Sequence, residues 1–235
     1  MIGPLVSVIT AVHNGERSLA AALESLFGQD YRPCESVVVD DGSDDGTPDV
    51  VARFPGVIYL RQENRGPAAA RNKGLAAARG SYVAFLDADD VLPPTKLSTQ
   101  VAYLKRNPKI DCVLGRQELL FDGIDAPTWL KRDPIYGELG GIPLISAMIR
   151  RPALEELGGF DPSPTFRYAE DRDLFVRMRE HGIEFAVLDE VVLFRRYDGS
   201  NMYARAVPEQ HPLLHSLKAK LDRERAVVDE EVRRT

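Results

Sequence analysis

A run of apolar residues in the first half of the chain leads directly into three carboxylates. Residues 82–86 read YVAFL, and Asp87, Asp89 and Asp90 follow within four positions. Neighbouring carboxylates repel and raise each other's pKa, so such a cluster is costly unless a cation or a dense hydrogen-bond network offsets its charge. Carboxylate oxygens are preferred ligands of Mg²⁺ and Mn²⁺. We expect a divalent-cation site here, the alternative being three residues that only cap the strand.

A second acidic group follows another apolar run. Residues 37–39 are valines, and the loop after them reads DDGSDDGT from Asp40 to Thr47. In one interpretation, Ser43 or Asp44 is the N-cap of the next helix and the glycines form turns. In the other, Asp40 or Asp41 accepts hydrogen bonds from a nucleotide base or ribose. Neither a GxGxxG nor a GxxxxGK[ST] phosphate loop occurs in the chain.

The third candidate is Asp171, within the segment RYAEDRDLFVRM. On a helix that turns about 100° per residue, Glu170 points away from the apolar side and Asp171 shares it. The apolar residues of that side are Leu174, Phe175 and Met178. A carboxylate on an inward face is costly unless it is paired or used. Pairing with Arg167 or Arg172 is one explanation, and a general base beside a cleft is the other.

These carboxylates can meet only if the segments that carry them are neighbours in one fold. The strand candidates are 5–12, 36–40, 57–61 and 81–86, and the helix candidates between them are 18–29, 45–54 and 67–78. This alternation predicts βαβ units and a mostly parallel sheet. Open α/β sheets bind ligands at the carboxyl ends of their strands. We therefore expect both strand-end acidic groups at the same edge of the sheet.

The second half of the chain is less regular. Helices are predicted at 96–107 and 169–181, and short strands at 111–114, 184–188 and 191–197. Residues 122–143 are rich in Gly, Pro and Asp, and an irregular segment of that length is usually functional. The charged stretch 208–231 is predicted to be a helix. It either packs on the domain or on a neighbouring subunit, or lies on an anionic membrane.

Composition excludes several classes of protein. The net charge of -6 over 235 residues argues against a nucleic-acid binder, whose affinity rests on clustered Lys and Arg. Cys34 and Cys112 lie far apart without a CxxC pair, so neither a thiolate zinc site nor a disulfide framework is expected. We see no secretory signal and no apolar stretch long enough to span a membrane. The expected location is cytoplasmic.

Five stretches, in this order, resemble the family 2 glycosyltransferases of the GT-A fold. They read VSVITAVHNGE, VVVDDGSDDGT, ENRGPAAARNKGLAAARGSYVAFLDADD, GGFD and AED. The resemblance implies a Rossmann-like, mostly parallel sheet flanked by helices in a domain over residues 1–205. Residues 1–110 would form the donor half, 111–205 the acceptor half, and 206–235 a C-terminal helical tail that could support a homodimer.

The resemblance also implies an activity. Such enzymes transfer a sugar from a nucleotide diphosphate, here UDP- or dTDP-linked, to an acceptor with inversion, assisted by Mn²⁺ or Mg²⁺. Asp171 matches the catalytic base, and an ordinary Asp pKa near 3.9 would leave it ionised at neutral pH. Asp89 and Asp87 match the metal-binding DxD motif. The residues matching the nucleotide site are Thr10, Val12, Asn14, Glu16, Asp40, Asp41, Arg71, Asp87 and Ala88.

Other positions match less closely. Arg195 and Arg196 are expected at the diphosphate, but the stretch FRRYDGSN lacks the histidine that the family often carries there. Asp198 lies about where that histidine would be and is a candidate metal ligand. Glu170 is expected at the acceptor. Trp129 is either a sugar-stacking platform there or an anchor for its own loop.

Two other functions use the same features. A non-catalytic nucleotide-sugar binding module would keep the site without turnover. A sugar nucleotidyltransferase would need a glycine-rich basic loop near the N-terminus to hold a triphosphate, and the sequence there, Gly15-Glu16-Arg17, is too sparse. The sequence identifies neither the acceptor nor the donor sugar.

Overall fold

In a computed structural model that describes residues 3–121, 144–163 and 169–197, one sheet of seven strands is flanked by helices. The strands are β1 (Val6–Val12), β2 (Cys34–Asp40), β3 (Val57–Arg61), β4 (Tyr82–Phe85), β5 (Cys112–Phe121), β6 (Met148–Arg150) and β7 (Phe185–Tyr197). The helices are α1 (Leu19–Phe27), α2 (Thr47–Ala52), α3 (Pro67–Ala77), α4 (Lys96–Arg106), α5 (Arg151–Glu156) and α6 (Glu170–Glu180). The sheet order is β3-β2-β1-β4-β6-β5-β7.

The donor half follows the predicted βαβ pattern. β1 pairs in parallel with β2 and with β4, and β2 pairs in parallel with β3. Almost all apolar side chains of β1, β2 and β4 are buried because helices cover both faces of the sheet there, which is why these strands read as continuous apolar runs. Those of β3, at the end of the strand order, are only partly buried. Asp40 lies opposite Val12, and Phe85 lies opposite Ile9. The loops after β1, β2 and β4 therefore leave the same edge, as predicted.

Helix α3 lies unusually close to this sheet. It begins at Pro67, a favoured first residue of a helix, and is rich in alanine. A Cβ atom at Gly74 would lie 2.4 Å from Cγ2 of Ile9, so only glycine fits there. This approach brings Arg71, one turn earlier, down towards the sheet, where its side chain is buried.

The second half departs from the predictions. The strand predicted at 111–114 extends to Phe121, and the runs 184–188 and 191–197 form one strand, β7, with register shifts opposite Arg116. β6, which pairs antiparallel with β4 and β5, was not predicted, and neither was α5. β6 has three residues, too few for a periodic pattern. The sheet is thus mixed, and the prediction of a mostly parallel sheet is confirmed.

Several predictions lie outside the described residues. These are the roles of Trp129 and Asp198, the pairing of Arg167, the irregular segment 122–143 and the tail 206–235. No helix within 3–121, 144–163 or 169–197 has the length and apolar character needed to cross a membrane.

Candidate functional site

The aspartates after β2 are hydrogen-bonded within the protein. Asp40 is fully buried, and its carboxylate accepts hydrogen bonds from the Ser43 amide at 2.7 Å and from the Tyr59 hydroxyl at 2.6 Å. Burial raises the pKa of Asp40, but these hydrogen bonds and the charge of Arg61 outweigh it and hold that pKa below its ordinary value. Tyr59 is affected in turn, because burial and the hydrogen bond to Asp40 raise its pKa to about 12.

Asp41 closes the neighbouring turn. Its oxygens accept hydrogen bonds from the Gln62 side chain at 2.8 Å, the Arg65 amide at 2.9 Å and the Gly66 amide at 2.8 Å. The interpretation in which Ser43 or Asp44 is the N-cap of the next helix was wrong, because the residue before that helix is Gly46. α2 begins at Thr47, whose amide donates to Asp45 rather than to Ser43 or Asp44. A nucleotide contact by Asp40 or Asp41 stays a prediction, and both carboxylates hold the loop in shape.

The loop after β1 is joined to the loop after β2 by hydrogen bonds. The Asn14 amide donates to the Ser43 hydroxyl at 2.9 Å, and Asn14 Oδ1 accepts from the Asp44 amide at 2.9 Å. The amides of Gly15 and Glu16 donate to Thr47 and Asp45. Asn14 adopts φ 57°, a left-handed conformation that asparagine tolerates better than most residues. The two loops therefore form one wall of the site.

The predicted nucleotide residues of this wall differ in exposure. Thr10 and Val12 are buried within the sheet, whereas Asn14 and Glu16 are exposed. A Cβ at Gly15 would lie 3.7 Å from Cβ of Ala88, so the wall adjoins the acidic loop after β4. The structure thus brings the strand-end loops together, as predicted, without testing a nucleotide contact.

The acidic cluster after β4 forms a compact group of oxygens. Asp87, Asp89 and Asp90 can each present a carboxylate oxygen, and these oxygens lie within 4.8 Å of one another. Asp90 is buried, and burial together with the charges of Asp87 and Asp89 raises its pKa to about 8. A divalent cation would offset this repulsion, and an all-oxygen donor set suits Mg²⁺ or Mn²⁺. The residues present therefore fit the predicted cation. Asp90, which the sequence analysis did not assign as a ligand, belongs to the group.

The far end of β7 is attached to this cluster. Val91 and Phe194 exchange backbone hydrogen bonds of 3.0 and 2.8 Å, and Asp90 Oδ1 accepts from the Arg196 amide at 3.1 Å. The charge of Arg195 lowers the pKa of both Asp90 and Asp171, so Arg195 lies within electrostatic reach of both. The structure thus brings both predicted diphosphate residues to the cluster, and their role stays a prediction.

Arg71 joins the acidic cluster to the predicted base. Its Nη1 donates to Glu170 Oε1 and to Asp171 Oδ1, each at 2.9 Å, and its Nη2 donates to Asp87 Oδ1 at 3.2 Å. The alternative in which Asp171 pairs with Arg172 was wrong, because Arg172 is exposed and the partner is Arg71, 100 residues away in sequence. Arg71 was expected at the nucleotide. Its guanidinium contacts three carboxylates, and its nucleotide contact stays a prediction.

The inward face of α6 also differs from the prediction. Glu170 and Asp173 are the buried acids, whereas the Asp171 side chain is 30% exposed. The two buried carboxylates have cationic partners: Arg71 for Glu170, and Arg177 for Asp173 at 2.7 Å. These ion pairs allow acidic residues on the buried face of the helix. Hydrophobic periodicity does not reveal them, because it depends only on the positions of apolar residues. Asp171 therefore lies at the margin of the buried face, towards the site.

The pKa of Asp171 is higher than the ordinary value expected from sequence. Partial burial, with the charges of Glu170 and Asp87, raises it to about 6, and Arg71 and Arg195 offset part of that shift. A carboxylate in this state is ionised at neutral pH yet basic enough to accept a proton efficiently, since a catalytic pKa works best near the operating pH.

Comparisons with known proteins place this geometry in a family. The family model for glycosyl transferase family 2 matches residues 7–158. The chain is 34% identical to EpsE of Bacillus subtilis (strain 168) over 214 residues, which cover 86% of this chain and 76% of EpsE. It is 30% identical to RP339, an uncharacterized glycosyltransferase of Rickettsia prowazekii, over 74% of this chain and 58% of that protein.

Two solved structures have a similar fold. S. aureus TarS 1-349 in complex with UDP superposes with a TM-score of 0.68 at 23% identity, covering 83% of this chain and 61% of that one. The mannosyltransferase PcManGT from Pyrobaculum calidifontis, in complex with GDP-Man and Mn²⁺, has a TM-score of 0.70 at 25% identity. That match covers 87% of this chain and 59% of PcManGT. From the family match and the alignment with EpsE, the chain belongs to glycosyl transferase family 2, with the GT-A fold.

Proposed function

We propose that this protein transfers a sugar from a UDP- or dTDP-linked donor to an acceptor nucleophile, with inversion at the anomeric carbon. One observation carries the proposal: a single guanidinium, Arg71, contacts both Asp171 and Asp87. A candidate base and a candidate metal ligand thus lie on either side of one buried cation. This arrangement supports inverting transfer, in which the base activates the acceptor on one face of the anomeric carbon and the diphosphate departs from the opposite face.

Asp171 is the proposed general base. It would accept the proton of the acceptor nucleophile, and its pKa of about 6 leaves it ionised at neutral pH. Such a base typically contributes about 10²–10⁴-fold to the rate. Asp87, Asp89 and Asp90 would hold Mn²⁺ or Mg²⁺, which supplies Lewis-acid stabilisation of charge on the leaving diphosphate when bound. Arg195 and Arg196 would bind that diphosphate as fixed cations.

Glu170 is proposed to contact the acceptor. Its Oε1 accepts from Arg71, whereas its Oε2 is buried without a hydrogen-bond partner among the residues that the structure describes. A buried carboxylate oxygen without a donor is costly, which supports a substrate hydroxyl as its partner. Trp129, outside the described residues, is proposed as a second acceptor contact.

The nucleotide is proposed to bind against the joined loops after β1 and β2. Asn14 and Glu16 are exposed there, and Ala88 adjoins Gly15. Asp40 and Asp41 would act chiefly by holding these loops, since their oxygens already accept hydrogen bonds from the protein. The UDP bound to TarS and the GDP-Man with Mn²⁺ bound to PcManGT support a nucleotide diphosphate and a divalent cation as ligands.

Calorimetric titration tests this proposal. UDP, dTDP and GDP are each titrated with Mn²⁺ and with EDTA into the wild type, Asp89→Ala and Asp189→Ala. Asp189 is an exposed carboxylate on β7 and serves as the matched control. We expect one nucleotide to bind only with Mn²⁺, with binding lost in Asp89→Ala and kept in Asp189→Ala. Absence of binding by the wild type to all three nucleotides would overturn the proposal.

A further inference from the structure

Arg71 is one positive charge in contact with three carboxylates. One guanidinium, with the residue only 6% exposed, donates hydrogen bonds to Asp87, Glu170 and Asp171. An arginine guanidinium stays protonated in proteins, so the group keeps its charge among the three carboxylates. Because Asp87 also belongs to the acidic cluster, a cation bound there and the guanidinium draw on the same carboxylate.

The guanidinium of Arg71 lies over the aromatic ring of Phe160. Its central carbon lies 5.7 Å from the centroid of the Phe160 ring, and that ring packs edge-on against Phe85 with centroids 5.4 Å apart. A cation held over an aromatic face is attracted by the ring and restricted in orientation. The guanidinium therefore has a fixed platform as well as three anionic partners.

The platform is itself anchored on two sides. Asn72, the neighbour of Arg71 on α3, donates from Nδ2 to the Phe160 carbonyl at 2.7 Å, and its Oδ1 accepts from the Phe160 amide at 2.8 Å. Arg177 donates to the Gly159 carbonyl at 2.8 Å. Gly159 has φ +77°, and a Cβ there would lie 2.5 Å from Asn72 Oδ1. The turn before Phe160 thus accepts only glycine at this position.

We propose that Arg71 is a positioning residue that competes with the divalent cation for Asp87 and holds the base Asp171 in place. The proposal rests on the proposed function above. With Asp87 engaged by a bound cation, the guanidinium would be left to Glu170 and Asp171, and its contacts would hold the base more firmly.

Because Arg71 and the cation compete for Asp87, loss of Arg71 should change cation affinity and kcat in opposite directions. Removing the positive charge beside the cluster should strengthen cation binding, by about tenfold for charges a few ångströms apart in a water-like dielectric. The same change should lower kcat by about 10²-fold, because the base loses the group that orients it. A residue that merely supported the fold would weaken both.

The test measures Mn²⁺ affinity without nucleotide, from the electron paramagnetic resonance signal of free Mn²⁺, and kcat with the donor nucleotide sugar. The variants are Arg71→Met and Arg71→Lys, and the matched control is Arg179→Met, which removes an exposed charge from the same helix as Asp171. For Arg71→Met we expect about tenfold tighter Mn²⁺ binding and a large loss of kcat. Arg179→Met should resemble the wild type.

Arg71→Lys separates charge from geometry. It keeps the positive charge, so its Mn²⁺ affinity should stay close to that of the wild type, but one ammonium group cannot span Asp87 and the two carboxylates of α6, so kcat should remain low. Weaker or unchanged Mn²⁺ binding in Arg71→Met would overturn the proposal. If Arg71→Met does not fold, Arg71→Lys decides, and wild-type kcat in that variant would overturn the proposal too.

The two proposals fail differently. A wild type that binds Mn²⁺ but none of the three nucleotides overturns the proposed function. A wild type that binds nucleotide and turns over, with Mn²⁺ affinity independent of Arg71, overturns only the role assigned to Arg71.

Discussion

The carboxyl ends of β2 and β4 both carry aspartates, but the oxygens of these residues have different surroundings. Asp40 and Asp41 accept hydrogen bonds from loop amides and from the side chains of Tyr59 and Gln62. Asp87 and Asp90 are crowded by each other and by Asp89. Accordingly the pKa of Asp40 is lowered, whereas that of Asp90 is raised to about 8. Similar residues at the ends of two strands of one sheet, β2 and β4, on either side of β1, thus have pKa values that shift in opposite directions.

The difference indicates two kinds of role. A carboxylate that is hydrogen-bonded by its own loop stabilises that loop and has little capacity left for a ligand. A group of carboxylates that repel one another gains from a cation, and is costly without it. We therefore expect substitutions after β2 to affect stability first, and substitutions around the β4 cluster to affect binding and turnover first.

The largest effect is expected from the base beside the β4 cluster. Asp171→Asn keeps the shape of the side chain but cannot accept a proton, so kcat should fall by about 10²–10⁴-fold. Tm should change little. Steady-state kinetics and a thermal melt measure both quantities. The control is Asp173→Asn, which breaks the ion pair with Arg177 and should lower Tm. Wild-type kcat in Asp171→Asn would contradict the assignment.

The same base predicts a pH profile. Asp171 must be ionised to act, and its pKa is raised to about 6, so kcat/KM at saturating Mn²⁺ should fall about tenfold for each pH unit below that value. Protonation of Asp171 does not itself destabilise the folded protein, so it lowers activity without unfolding. A folded-state pKa above the ordinary 3.8 means that the folded protein holds this proton more tightly, so the contribution of Asp171 to stability is present at low pH and is lost as pH rises through 6. A flat profile between pH 5 and 8 would be inconsistent with this base.

A stability effect is expected on the β2 side. Asp41→Ala leaves the amides of Arg65 and Gly66 and the side chain of Gln62 without their acceptor. These hydrogen bonds are part-buried and each contributes about 0.5–1.5 kcal/mol, so Tm should drop by several degrees, at about 2–4 °C per kcal/mol for a chain of this size. Mn²⁺ affinity should be unchanged. If Asp41→Ala kept the wild-type Tm but bound Mn²⁺ more weakly, the aspartates after β2 and after β4 would not differ in role.

The smallest predicted effect is a gain in stability rather than a loss. Asp90→Asn removes a charge that its neighbours repel and keeps an oxygen to accept from the Arg196 amide. The raised pKa of Asp90 favours the folded state at low pH, and this contribution is lost as pH rises through about 8. Without metal, Asp90→Asn should therefore raise Tm slightly at pH 9 and less at pH 5. Thermal melts in EDTA measure it, and a lower Tm at pH 9 would show that the repulsion is already compensated.

In the donor half, local sequence patterns predicted the strands correctly. The prediction for β3 matched at both ends, and those for β1, β2 and β4 were right in type and place, because each is an apolar or β-branched run bounded by turn residues. The clustering of carboxylates at one edge followed from the parallel arrangement alone. β6 and α5 were missed because elements of three and six residues carry too little periodicity.

The residue types and order of the motifs, which the sequence determines by itself, were enough to predict the family, the sheet and the acidic edge. Only the tertiary structure decided the partner of Asp171, since Arg71 lies 100 residues away. It also decided which acids of α6 are buried and in which direction the pKa of Asp40 and Asp90 shifts. The reason is physical: secondary structure follows from periodicity over a few residues, whereas burial and charge pairing depend on distances between atoms that the fold alone brings together.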